Sequence, residues 1–140
     1  MKPNGYDQIM DPGVLKQIQT ITGCLDYIPL LAGYSYDDKL LVSAGHGKRY
    51  LVRISPEGDT ASVPAREEEF RVIGRLHVLS PLVPEPVAIL RCPGDRSCVM
   101  ILEYIEGMDG EQALPQMTPK GAYHAGFQAG QELLRLHLLA

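Results

Sequence analysis

Long apolar runs, an excess of basic charge, a disulfide framework and clustered metal ligands are all missing from this 140-residue chain. No run reaches the ~18 apolar residues of a membrane-spanning helix, and the start, MKPNGYDQIM, lacks the apolar region of a signal peptide. These absences point to a soluble, cytoplasmic protein with no membrane partner. A formal net charge of -4 removes the electrostatic footprint of a nucleic-acid binder. The three cysteines, Cys24, Cys92 and Cys98, form an odd set without a secretion signal, which favours free thiols. Cys92 and Cys98 could face each other across a hairpin; buried or edge thiols are the simpler expectation. The histidines (His46, His77, His124 and His137) have neither the pairing nor the cysteine partners of a zinc site, so no metal is expected on them. Acid is also scarce late in the chain: from Gln112 to Ala140 the only carboxylate side chain is Glu132.

What is present suffices for a folded unit. Apolar residues make up 45% and charged residues 21%, with a mean hydropathy of -0.06, which argues against disorder. A chain of this length forms one folding unit or part of one, burying roughly two-thirds of its surface. Asp11–Pro12 followed by Val14, Leu15, Ile18 and Ile21 predicts a helix that Gly23 ends. Strands are predicted at Tyr27–Leu31, Lys39–Val42 and Arg49–Ile54, with Ala44–Gly45–His46–Gly47 turning between the last two. Gly45–His46–Gly47–Lys48 lacks both the spacing and the following helix of a phosphate loop. A helix is predicted from Pro64 to Leu79, then strands at Val87–Leu90 and Val99–Leu102. Asp109 with Gln112 has capping-box spacing for a short helix, and Thr118–Pro119 opens a long last one. The fold class is therefore α+β: five antiparallel strands, one helix inserted after the third, and helices at the end.

Two charges stand against this apolar pattern. Arg53 lies inside an apolar strand and shares its face with Leu51, while Tyr50, Val52 and Ile54 point the other way. Glu69 is aligned with Val72, Ile73 and Leu76 on the apolar stripe of its helix, unlike Glu67 and Glu68, which have Arg71 within reach. A carboxylate in that position must find a cation, find a donor, or border the stripe and face water. An Arg53–Glu69 pair could serve a cleft, as a phosphate-placing pair does in kinases, or be a structural salt bridge.

The segments in order are Gly33–Tyr34–Ser35–Tyr36–Asp37, Tyr50–Leu51–Val52–Arg53–Ile54, the helix with Glu69–Phe70, Val83–Pro84–Glu85–Pro86, and Leu102–Glu103–Tyr104–Ile105–Glu106–Gly107. Together with Leu133–Leu134–Arg135–Leu136–His137, this order resembles the N-terminal lobe of the aminoglycoside phosphotransferase family, small-molecule kinases with a protein-kinase-like fold. The likeness extends over about residues 25 to 137. It implies a kinase-like N-lobe over 1–102, a hinge at 103–107, and the first helices of a truncated helical lobe over 108–140. It also implies ATP or GTP as ligand. Gly33 and Ser35 would lie over the phosphates and Arg53 would contact them where many members have lysine. Glu69 would pair with Arg53, Leu51 and Leu102 would line the base, and backbone groups of Glu103 and Ile105 would bond its edge. The family's histidine-glycine-aspartate loop and its magnesium-binding aspartate have no counterpart here: the last aspartate is Asp109 and no asparagine follows Asn4. No catalytic residue is therefore assigned, and magnesium would need the missing lobe. The chain alone is expected to lack kinase activity, with that lobe, or a second copy through the leucine-rich last helix, as its protein partner. A non-catalytic interaction or dimerisation module is the alternative.

Overall fold

The computed structural model describes residues 12–23, 26–31, 36–55, 62–92 and 98–139. Its elements are α1 (Pro12–Thr22), β1 (Tyr27–Pro29), β2 (Asp38–Ser43), β3 (Arg49–Ile54) and α2 (Ser62–Leu79), then β4 (Pro86–Arg91) and β5 (Cys98–Glu103). A short helix α3 (Gly110–Ala113), one 3-10 turn (Leu114–Gln116) and the long α4 (Pro119–Leu139) complete it. The strands form one open antiparallel sheet in the order β1-β2-β3-β5-β4, with α2 inserted after the third strand as the α+β reading expects. β3 keeps its predicted bounds, β2, β4 and β5 each run one residue further at both ends as their ladders extend past the apolar runs, and β1 stops two residues short, at Pro29.

Local chemistry explains the element ends. Gly23 adopts φ +73 and its N–H donates to Gln19 O at 2.7 Å, closing α1 with the left-handed residue that only glycine takes cheaply. Gly47 (φ +77) lets the β2–β3 hairpin turn, with Ala44 N–H donating to Lys48 O at 2.8 Å. Thr118 Oγ1 accepts from Gly121 N–H at 3.1 Å and Asp109 Oδ1 from Glu111 N–H at 2.8 Å, capping α4 and α3. His77 Nδ1 lies 2.8 Å from Val83 O, tying the end of α2 to the proline-marked connection before β4.

The alternation of the strands separates two faces. Leu40, Val42, Tyr50, Val52, Val99 and Ile101 pack with Val14 and Ile18 of α1 as the buried core. On the opposite face the register aligns Leu41, Leu51 and Leu102 in one row, and Lys39, Arg53 and Met100 in the next. α2 packs on this second face against β4 and β5. There Pro86 Cγ would be 3.5 Å from a Cβ built on Gly74, so helix and strand are in direct contact. α4 touches α2 and leaves Tyr123, Phe127, Leu134 and Leu138 exposed. Cys92 and Cys98 are free, buried thiols. The expectations for Asp11, Cys24 and the Pro93–Ser97 hairpin lie outside the described residues.

Candidate active site

Arg53 is positioned by the β3 ladder, and its guanidinium lies at the centre of a closed ring of charges. Its Nε and Nη2 both donate to Asp37 Oδ2, at 3.0 and 2.7 Å, and its Nη1 donates to Glu69 Oε1 at 2.6 Å. Arg66 closes the ring, donating through Nη1 to Glu69 Oε2 at 2.8 Å and through Nη2 to Asp37 Oδ1 at 2.6 Å. Sequence reasoning led to the Arg53–Glu69 pair but missed the other two members. Arg66 was legible as the residue three before Glu69 on the same helix face. Asp37 was legible only through strand register: by alternation it shares the face of Lys39, which is directly opposite Arg53.

Side-chain exposure ranks the four as Asp37 1%, Arg53 15%, Arg66 25% and Glu69 34%. Bringing charges this far out of water is tolerable because each carboxylate oxygen accepts at least one charge-assisted bond. Burial works against the charge on Arg53, but hydrogen bonds and attraction from Glu69 and Asp37 outweigh it and hold its pKa above the ordinary value. The same contest at Glu69 is won by its bonds to Arg53 and Arg66, which hold its carboxyl below the ordinary range.

The remaining candidates line up along the sheet. Leu51 precedes Arg53 by two residues, about 7 Å along the strand, and pairs laterally with Leu102. Glu103 is the last residue of β5, paired with Tyr50, and beyond it the chain leaves the sheet as Tyr104–Ile105. Glu103 N–H donates to Glu85 O at 2.8 Å, so that donor is taken. Tyr104 N–H donates to Arg49 O at 3.0 Å, whereas Ile105, half exposed, makes no backbone bond among the described residues. Arg49 was not foreseen: its guanidinium lies 5.0 Å from the Tyr104 ring centroid and pairs with Glu106, tying the exit segment to β3. Gly33 and Ser35 lie outside the described residues. Among the described residues no three His, Cys, Asp or Glu side chains gather as a metal would require.

The strand cation with its helix-borne carboxylate, the five-strand order and the anchored exit segment agree with a match to the phosphotransferase enzyme family model over residues 26–140. The chain belongs to that family. No curated protein and no solved structure matches it. Leu102, Leu51 and Arg53 share one sheet face next to the exit segment, with Leu102 itself buried. No helix among the described residues is long and apolar enough to cross a membrane.

Proposed function

We propose that this chain is the nucleotide-binding lobe of an ATP-dependent small-molecule phosphotransferase. The observation that carries the reading is Arg53, held in a charge ring on the same sheet face as Leu51 and Leu102 and next to the 103–107 exit segment. In this reading the base rests on Leu51 and Leu102, bonded by the carbonyl of Glu103 and the backbone of Ile105, while Gly33 and Ser35 cover the phosphates. Arg53 offers N–H groups of its terminal nitrogens to phosphate oxygens. GTP is the alternative donor. Phosphoryl transfer relies on placement and charge neutralisation, which this half of the machinery would supply on the nucleotide side. The carboxylate base and the magnesium ligands would come from a helical lobe that residues 108–140 begin, since after Asp109 the chain has only Glu111 and Glu132. Free buried thiols at Cys92 and Cys98 fit the reducing cytoplasm, where ATP is available.

Titration with a fluorescent ATP analogue, run beside a kinase assay, tests this. Saturable binding that falls about tenfold or more in Arg53→Ala is expected, matching the loss of one charged hydrogen bond, with no turnover. Failure of the chain to bind nucleotide overturns the reading; turnover overturns the assignment of the chemistry to another lobe. A second reading, a module that associates through α4, is favoured by Tyr123, Phe127, Leu134 and Leu138, exposed and in register on one helix face. Light scattering decides: a stable dimer without nucleotide affinity supports the module.

A further inference from the structure

We propose that Asp37 is the positioning residue that aims Arg53 at the nucleotide phosphates, and that Glu69 is the exchangeable member of the ring. The inference rests on the nucleotide-binding reading above and adds a residue and a division of labour to it.

Three features separate the two carboxylates. The first is how each grips the guanidinium. Asp37 Oδ2 takes the Nε and Nη2 hydrogens together, at 3.0 and 2.7 Å, whereas Glu69 takes Nη1 alone. Holding the Nε edge fixes both the direction of the side chain and the plane of the fork; a single bond at one terminal nitrogen leaves that plane free to tilt. The second is solvent. The Asp37 side chain is 1% exposed and holds three of the five ring bonds, while Glu69 is 34% exposed and holds two. Glu69 can yield Arg53 Nη1 to an incoming phosphate and still keep Arg66 on its other oxygen. The third is mounting. Asp37 immediately precedes β2, whose ladder to β3 fixes the distance to Arg53, whereas Glu69 is carried by a helix packed across the sheet. A phosphate approaching Arg53 therefore competes with Glu69, and the aim of the fork survives because Asp37 stays.

A pair of charge-matched double variants tests the division. D37N/R66Q leaves Arg53 with Glu69; E69Q/R66Q leaves Arg53 with Asp37; each retains one cation and one carboxylate of the ring. Affinities for ATP and for adenosine are measured on both and on the unaltered chain, with circular dichroism confirming the fold. Asp37 as anchor predicts that the ATP-to-adenosine affinity ratio falls in both, and about tenfold further in D37N/R66Q, the equivalent of one charged hydrogen bond to phosphate. Should D37N/R66Q fail to fold, Asp37→Glu against Glu69→Asp makes the same comparison with every charge kept, and Asp37→Glu is expected to lower the ratio more. Equal losses, or a larger loss on the Glu69 side, overturn the anchor assignment and leave nucleotide binding intact. Absence of ATP binding by the unaltered chain instead overturns the reading on which the inference rests, and the inference with it.

Discussion

Replacing Asp37 by alanine should destabilise this fold more than any other single carboxylate change among the described residues. The side chain is 1% exposed and accepts three charge-assisted bonds, from Arg53 Nε, Arg53 Nη2 and Arg66 Nη2. Each such bond contributes about 1.5–3 kcal/mol in isolation, but bonds sharing one carboxylate do not add. Both arginines also keep Glu69 and, at 15% and 25% exposed, can recruit water. The net loss is therefore set at about 3 kcal/mol, the lower end for breaking a buried ion pair. For a domain of this size that corresponds to a fall in Tm of roughly 10 °C. Urea and thermal melts followed by circular dichroism measure it, with Glu68→Ala as the reference. Glu68 is 53% exposed and bridges Arg71 and Arg75, themselves 67% and 72% exposed. Its removal should shift stability by less than about 1 kcal/mol and lose even that effect at high salt. The Asp37→Ala loss should persist in salt, because the ring lies largely out of reach of mobile ions. Equal losses for the two variants would refute the claim that burial and multiple bonding make Asp37 different.

Glu69 should make stability fall in acid: its folded pKa lies below the ordinary 4.5, so its contribution is complete above that value and fades as pH drops through the folded one. Urea melts of Glu69→Gln should show a flatter pH dependence in that acidic window. Val52 is fully buried at the centre of the α1-facing core, so Val52→Ala should cost about 2 kcal/mol with an unchanged denaturant slope. Burial pushes the Cys98 thiol up and leaves it 1% exposed, so alkylation followed by peptide mass spectrometry should find it slow to react in buffer and fast in urea.

How far the site could be read beforehand follows from the range of the forces involved. Arg53 and Glu69 stood out because each breaks a local apolar period, on a strand and on a helix respectively, and a broken period is visible in one dimension. Gly23, Gly47 and Thr118 were equally legible, since turn and cap chemistry acts within a few residues. Arg66 was hidden by its ordinary setting on a charged helix, although it is only one turn from Glu69. Asp37 adjoins a second aspartate, Asp38, at a strand start, where acids are commonplace. Its burial arises only once β2 pairs with β3 and α2 packs over that face. Arg49 reads as a hairpin residue until β5 is placed beside β3 and brings Tyr104 and Glu106 to it.

The sequence by itself determined the α+β class, the succession of strands and helices, and the two charges that could not be left in an apolar setting. Those properties depend on periodicity and on short-range backbone chemistry. Tertiary structure alone decided that the pair is a four-membered ring, which of its carboxylates is withdrawn from water, and which arginine holds the exit segment. Those depend on strand register and helix docking, which bring together Asp37 at the entrance to β2, Arg53 of β3, and Arg66 and Glu69 of α2. Electrostatic strength follows burial, and burial is a property of the assembled sheet and helix rather than of any one segment.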